Sequence, residues 1–361
     1  MKIFYDNLIF SKELNGGISN YWYELVRHFS EENNQNISFF EDSNINSNFH
    51  RKQLSFSEEK LLKIYPKNDL QSRLFPISSF KSNEKFIYHS SYYRALKNCT
   101  NQIEVTTIHD FTHNYFAPFI NKSIHNYLKY NAIKRSKGII CISNHTYKDL
   151  LKFCPPQNKQ KIAIIYQGVS DDYKPLFNKT FSAYEILKNN QLTEPFFLYV
   201  GSRLGYKNFD FVVEFMKTTD KKLVVVGSAF TNRELKKAPP EVHKKIVLLS
   251  DVSNKELNIL YNFAEVLLYP SYYEGFGIPV IEAMRAGCVV VAYNGSSVAE
   301  ITEGNGILLN SLHTSFLNAE LLKIKNQSHK QELIEKGFEI SKKYSWDKCF
   351  AETKQFYEDL W

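Results

Sequence analysis

The sequence predicts two α/β domains in tandem, each built on a parallel sheet. Three observations carry that expectation. At 361 residues the chain exceeds what a single hydrophobic core ordinarily organises, and two domains of about 150–180 residues suit its length. A strand–loop–helix order repeats along it and restarts near residue 190. The central strands are continuous apolar runs rather than alternating ones, as in parallel sheets covered by helices on both faces.

Taken in order, "KIFYDNLIF" reads as the first strand, "SKELNGG" as a loop, and "ISNYWYELVRHFS" as an amphipathic helix. In that helix Ile18, Trp22, Leu25, Val26 and Phe29 recur at helical spacing on one face. The strands "FIYHSS" (86–91), "EVTTIHD" (104–110) and "GIICIS" (138–143) follow, each closed by a polar turn. Ser143 is placed to cap the helix "NHTYKDLLKF". "KIAIIYQGVSDDYKP" (161–175) is a strand running into a turn, after which the pattern restarts. "FFLYVGSRLGYKN" (196–208), "KLVVVG" (222–227), "KIVLLSDVS" (245–253), "EVLLYPS" (265–271) and "CVVVAYNG" (288–295) are strands. "FDFVVEFMK" and "NKELNILYNFA" are helices between them. The expected domains are residues 1–170 with a C-terminal helix at about 345–361, and residues 190–344, joined by a linker at 171–189.

Composition narrows the class. The apolar content of 43% and aromatic content of 15% suit a packed globular protein. No apolar run approaches a membrane span, and Asp6 and Asn7 interrupt the N-terminus before a signal-peptide core forms. Five cysteines without a CxxC pair read as reduced thiols, so the expected location is the cytoplasm. Residues 1–175 hold 23 Lys/Arg against 16 Asp/Glu, whereas residues 176–361 hold 22 of each. An anionic partner of the first half and a chance scatter of surface lysines both account for that excess.

Ligands of open parallel sheets sit beyond the carboxyl ends of the strands, where glycine-rich turns enter helices. Here those turns are "NGG" (15–17), "GSRLGYKN" (201–208), "YYEGFGIP" (272–279) and "YNGSS" (293–297). None matches G-x-G-x-x-G, and G-x-x-x-x-G-K-[ST] is absent, which excludes a dinucleotide-dependent oxidoreductase and a P-loop NTPase. The string "YEGFGIPVIEAMRAG" sets Glu274 in a glycine loop and Glu282 in the helix behind it, with Pro279 as the expected first helical residue. Gly275 and Gly277, with Phe276 and Ile278 between and after them, let backbone N–H groups and a helix N-terminus approach a phosphate. The carboxylates suit paired hydroxyls instead. A phosphate flanked by two polyols is a nucleotide sugar. Taken singly, each glutamate is as readily a dipole partner or a solvated loop residue. Arg203 and Lys207, four apart after a buried strand, supply cations for a diphosphate. No D-x-D occurs, so no carboxylate pair for Mg²⁺ is evident.

The string "YPSYYEGFGIPVIEAMRAG" resembles the E-x7-E signature of retaining glycosyltransferases of family 4, of the mannosyltransferase-like bacterial surface-polysaccharide type. "NGGISNY", "TTIHDF", "IICISNHTYKDL", "VGSRLGYKNFD" and "YSWDKCFAETKQFYEDL" extend the resemblance over essentially the whole chain. It implies the GT-B fold: two Rossmann-like domains with parallel sheets facing across a cleft, and a C-terminal helix crossing back to the first. The first domain would bind acceptor and the second the donor. The resemblance further implies that Glu274 meets the donor sugar's hydroxyls and Glu282 the ribose, while Arg203 and Lys207 grip the diphosphate. Gly16 and Gly17 would close on it from the first domain, His109 would stand at the reacting centre, and the stretch from Leu249 to Val252 would hold the base. Ser250 and Gln167 depart from the common pattern, where glycine and asparagine are usual; neither removes a charge. Retention is then explained by front-face attack, with the departing diphosphate taking the acceptor's proton. No cofactor or metal is expected beside the nucleoside-diphosphate sugar, with GDP favoured and UDP next.

For the acceptor, a glycan or lipid-linked glycan, the expected residues are His89, Tyr92, Tyr93 and Arg94 of "HSSYYRALKN", with Asp110, which follows His109. The stretch 48–86 interleaves aromatics with eight Lys/Arg against four Asp/Glu. An anionic membrane surface at the cytoplasmic face and an ordinary solvated face with buried aromatics both fit it. A nucleotide-sugar epimerase or a phosphorylase on the same fold, and a non-catalytic nucleotide-sugar binder, are the competing readings. Nucleic acid is not an expected partner, since no recognition module is present.

Overall fold

A computed structural model describes residues 1–32, 36–43, 48–66, 69–177 and 179–361, apart from the side chains of 69–70, 119–121, 233 and 235–236. It divides into two compact units, Met1–Gly168 with Trp346–Trp361, and Val169–Ser345. Among the described residues no helix is long and apolar enough to cross a membrane.

The first unit holds seven strands: β1 (Ile3–Asp6), β2 (Ile37–Asp42), β3 (Leu61–Ile64), β4 (Phe86–Ser90), β5 (Gln102–Ile108), β6 (Gly138–Cys141) and β7 (Lys161–Ile164). They pair in the order β3-β2-β1-β4-β5-β6-β7, every pairing parallel. The second unit holds β8 (Phe196–Val200), β9 (Leu223–Val226), β10 (Ile246–Leu249), β11 (Ala264–Tyr269), β12 (Val290–Tyr293) and β13 (Ile307–Leu309), in the order β10-β9-β8-β11-β12-β13, again all parallel. Each sheet therefore reverses its strand order once, at β1/β4 and at β8/β11. Such a reversal opens a crevice at the carboxyl ends of the two strands, because the loops leaving them part to opposite faces.

The helices used below are α1 (Gly17–Glu31), α2 (Phe119–Arg135), α3 (Asn144–Phe153), α4 (Phe209–Met216), α5 (Asn254–Phe263), α6 (Ile278–Ala286) and α7 (Trp346–Leu360). Helix α1 buries Trp22, Leu25, Val26 and Phe29, the face its spacing predicts. Ser143 caps α3 by accepting from the Thr146 N–H at 3.0 Å. Helix α7 joins the core of the first unit through Trp346, Cys349, Phe356 and Tyr357. Its approach is so close that a Cβ on Gly138 would collide with Leu360 and lie 2.8 Å from Phe356, so any side chain at the start of β6 would have to displace both.

Three differences from the sequence reading have physical causes. The first strand stops at Asp6, and Leu8–Ser11 turns into a 3₁₀ segment that buries Leu8, Ile9 and Phe10 together; an extended strand would have turned one of them outward. Asn7 fixes the corner by accepting from Trp22 Nε1 at 2.8 Å and donating to Glu41 at 3.0 Å. Strands β2, β3 and β13 are additional. The first of them ends in acidic residues, Glu41 and Asp42, which are buried because Arg51 and Arg94 pair with them. The basic–aromatic stretch 48–86 contains the edge strand β3; Phe86 is buried and the half-buried Phe56 packs against the core, while Phe49, Tyr65 and Phe75 face outward. Lys67, counted in that stretch, lies outside the described residues. Residues 171–177 and 179–189, read as linker, belong to the second unit, where Lys174 N and Leu176 N donate to the side chains of Asn258 and Asn262 of α5 at 2.9 and 2.8 Å.

Candidate active site

In the second unit the β8/β11 crevice gathers the residues of two of the predicted turns. After β8, Gly201 takes φ +126° and the chain reaches Arg203, a short 3₁₀ turn Gly205–Lys207, and Asn208 at φ +54°. After β11 the chain runs through Ser271 to Gly277, which caps α6 at φ +104°, a backbone state that L side chains rarely adopt. The two loops are tied directly: Tyr272 N donates to Tyr206 O at 2.9 Å and Asn208 Nδ2 to Pro270 O at 2.8 Å. Across them Lys207 Nζ meets Glu274 Oε1 at 2.5 Å. The β12 turn supports the glutamate's backbone, since Glu274 N donates to Ser296 Oγ at 3.0 Å and Ser297 Oγ to the carbonyls of Glu274 and Phe276, each at 2.8 Å. Tyr269 is hydrogen-bonded to the same carboxylate, and burial, then that negative charge, pushes its phenol far up.

Arg203 lies under the β9 turn. Its Nε donates to Glu234 at 2.7 Å and one amino group to the carbonyls of Ser228 and Ala229, each at 2.9 Å. The other amino nitrogen is buried without a partner, and the guanidinium stacks 4.3 Å over Phe230. Despite some desolvation, hydrogen bonds from Thr231 and then Arg203 hold the Glu234 carboxyl down at about 2, so it is anionic throughout the neutral range.

Helix α6 begins at Ile278, one residue earlier than the sequence predicts, so Pro279 is its second residue and Glu282 its fifth. Glu282 is thus past the first turn, and its partner is not the helix dipole. Tyr261 of α5 donates to Glu282 Oε2 at 2.9 Å, and the Tyr173 hydroxyl lies within hydrogen-bonding reach of the same group. Burial pushes the Glu282 carboxyl up to about 7, against the opposing pull of the two hydroxyls. Leu249 to Val252, at the end of β10, line a cavity of about 220 Å³ with Glu185, Asn190 and Glu256.

The remaining predicted residues lie in the first unit. Gly16 and Gly17 open α1, and a Cβ on Gly17 would meet nothing within 4 Å. The Glu13 carboxylate folds back on this turn and accepts from Ser19 N at 3.3 Å. His109, just past β5, is buried edge-on to Tyr21, with Gln167 Nε2 3.5 Å from its Nδ1. Burial lowers it to about 4, so it is a neutral imidazole near pH 7. Asp110 takes the Thr112 N–H at 3.0 Å and has the buried ammonium of Lys129 beside it. Tyr92 and Tyr93 pack around His125, which stacks on His113 at 3.8 Å.

Two acceptor assignments need correction. His89 is fully buried between the Tyr357 hydroxyl, 2.5 Å from Nδ1, and Thr107, 3.0 Å from Nε2. Arg94 is 2% exposed and spends its donors on Asp6 and Asp42, at 2.5 and 2.7 Å. Both residues therefore tie secondary-structure elements together and have no face for a ligand. Sequence reasoning missed Tyr173, Tyr261 and Glu234, whose partners are far along the chain. Among the described residues no group of three or more His, Cys, Asp or Glu side chains could hold a metal ion.

Comparison with known proteins places the second unit. Residues 185–339 match the family model for glycosyl transferases group 1, so this part of the chain is a domain of that kind. O-antigen chain mannosyltransferase B of Escherichia coli is 25% identical over 276 residues, covering 71% of this chain and 70% of that protein. Three such curated relatives are matched over 70, 62 and 56% of their own length. Among solved structures, sucrose-phosphate synthase from Thermosynechococcus elongatus superposes with a TM-score of 0.77 at 16% identity, covering 100% of this chain and 99% of that one. Anabaena HepE in complex with UDP and glucose gives 0.73 at 13% identity, covering 99 and 100%. The fold is GT-B, with a Rossmann-like sheet in each unit.

Proposed function

We propose that this chain is a metal-independent, retaining glycosyltransferase that moves a hexose, of the mannose or deoxymannose type, from a nucleoside-diphosphate sugar to a hydroxyl of a lipid-linked or polysaccharide glycan. The observation that carries the reading is the pairing of Lys207 with Glu274 at the β8/β11 reversal, beside an α6 N-terminus capped by a left-handed glycine. A cation, a carboxylate and helix N–H groups converging there match a diphosphate joined to a polyol. Arg203, with one amino nitrogen unsatisfied, supplies further charge for the departing diphosphate. Cations and dipoles already fixed where charge develops lower the barrier without reorganising. Glu274 would accept from the sugar's hydroxyls and Glu282 from the ribose, and neutral His109 would line the reacting centre. Mannose is favoured by the name of the E. coli relative, and UDP as an alternative base by the ligand of HepE. Peripheral association with the inner face of the cytoplasmic membrane belongs to the same reading, through a lipid-linked acceptor.

A thermal-shift panel of GDP, UDP, ADP and dTDP, with EDTA present, tests the donor site in the wild type and in Glu282→Ala. One nucleotide at about a hundred times its Kd should add ~2.7 kcal/mol of stability to the wild type, and the variant should lose most of it. Stabilisation that requires added Mg²⁺ would sink the metal-independent part. No stabilisation by any nucleotide would sink the whole reading.

A further inference from the structure

Helix α5 carries asparagines at 254, 258 and 262, an i, i+4, i+8 series that lines one face of the helix. Asn258 and Asn262 are buried. All three are engaged with the segment 172–176: Asn254 Nδ2 donates to Asp172 at 3.3 Å, Asn258 Oδ1 accepts from Lys174 N, and Asn262 Oδ1 accepts from Leu176 N. Asn262 Nδ2 returns a bond to Lys174 O at 2.9 Å. A polar ladder of this kind fixes an otherwise irregular strap rung by rung: the amides of Asn258 and Asn262 satisfy backbone groups outside any strand, and that of Asn254 holds the side chain of Asp172. The strap's one buried aromatic, Tyr173, is thereby set edge-on to Tyr261, with ring centroids 5.9 Å apart. The hydroxyls of both rings converge on one carboxylate, that of Glu282.

We propose that Tyr173 is a positioning residue for Glu282: the asparagine ladder delivers its hydroxyl to the carboxylate, and with Tyr261 it fixes that carboxylate, ionised, for the ribose diol of the donor. The inference rests on the donor reading given above. The Tyr173 hydroxyl has one hydrogen and two acceptors in reach, Glu282 and Asn254 Oδ1 at 3.3 Å. A charged acceptor makes the stronger bond, so ionised Glu282 takes the hydrogen and protonated Glu282 releases it to Asn254. Diol binding needs the ionised state. Donor affinity should therefore rise with pH through the region near 7 where Glu282 titrates. The groups acting on Glu282 are the two tyrosines; Asp172 and the buried thiol of Cys288 act on those tyrosines in turn. His109, lowered to about 4, does not titrate in this range.

The test is calorimetric titration of GDP-mannose and UDP-glucose across pH 5.5–8.5, on the wild type, Tyr173→Phe, Tyr261→Phe, Asn258→Ala, Tyr344→Phe and Glu282→Ala. Nucleotide sugars are used because their diphosphate, esterified at both ends, lacks the second ionisation near pH 6 of a free phosphate. Removing a hydrogen bond to the charged form should move the midpoint of the affinity profile up by about one pH unit in Tyr173→Phe and Tyr261→Phe. Asn258→Ala should move it the same way by less. Tyr344→Phe removes an equally buried hydroxyl, one that donates to Ile301 O, and should leave the midpoint in place. If Glu282→Ala abolishes binding while the Tyr173→Phe profile superimposes on the wild type, the positioning role is overturned and the donor reading stands. If Tyr344→Phe shifts the midpoint equally, the effect is one of general packing and the proposal also falls. If neither sugar nucleotide binds the wild type, or Glu282→Ala binds as well as it does, both fall together.

Discussion

The two sheets reverse their strand order at equivalent places, yet one crevice is sealed and the other is furnished. At β1/β4 in the first unit, Arg94 lies between Asp6 and Asp42 with all three side chains at 2% exposure or less. Tyr88 and Ser90 add hydrogen bonds to Asp6. Two carboxylates consume one guanidinium, and nothing is left over. At β8/β11 in the second unit, Lys207 and Glu274 keep 14% and 12% exposure, and Arg203, buried as it is, has one carboxylate among the described residues for its five donors. The same topology therefore serves cohesion in one unit and, in the function proposed above, ligand capture in the other. What separates them is the ratio of charged partners, not the presence of charge.

Breaking the two pairs should separate those roles most clearly. Arg94→Met leaves two buried carboxylates unpaired, and stability measured by denaturant should fall by about 3–5 kcal/mol, while nucleotide affinity of the folded fraction stays as in the wild type. Lys207→Met should do the reverse. A lost charge-assisted bond to a diphosphate is worth about 1.5–3 kcal/mol, so calorimetric affinity should drop on the order of 10- to 150-fold with a smaller change in stability. An Arg94→Met protein that is stable but no longer binds nucleotide would erase the distinction.

The glycine turns give a second, smaller test. Gly277 stands at φ +104°, with Val298 and Ile301 3.4 Å from where a Cβ would be, whereas Gly17 has open space and an ordinary helical backbone. Gly277→Ala should cost about 1–2 kcal/mol for the left-handed backbone. Gly17→Ala should leave stability unchanged or slightly improved, yet reduce transfer if the turn must approach a diphosphate. Unimpaired transfer by Gly17→Ala would remove that turn from the donor site.

How much of this was legible in the sequence follows from the range of the interactions. The parallel sheets were, because burial on both faces writes itself as runs such as "LVVV" and "VVAY". The glycine–glutamate string was legible too, since Gly277 needs its backbone state and Glu274 and Glu282 flank it locally. Strands β2 and β3 were not. Glu41 and Asp42 look like a polar turn until Arg51 and Arg94, 10 and 52 residues away, are seen to pair with them. The misreading of Arg94 has the same origin, for an arginine after a strand looks alike whether its carboxylates are near or far. Tyr173 escaped notice although the Asn254, Asn258, Asn262 spacing was in plain view. A polar stripe on a helix of otherwise apolar burial is a local signal, but only the fold says which strap it holds.

The finest test of the comparison is Glu234, the carboxylate that makes Arg203 resemble Arg94 in part. Its pair with Arg203 is exposed on the glutamate side, at 22% against 2%, and a diphosphate binding as proposed would compete with it. Glu234→Gln removes the charge, and glutamine also serves at this position of a capping box. If the second crevice is under-neutralised by design, nucleotide diphosphate should bind ~2- to 5-fold more tightly to the variant, the range expected of a partly exposed ion pair. The gain should shrink as salt is raised. Weaker binding by Glu234→Gln, unchanged by salt, would mean the opposite: the carboxylate aims Arg203 rather than rivals the ligand, and the crevice, like that of the first unit, depends on its own anion to hold its cation in place.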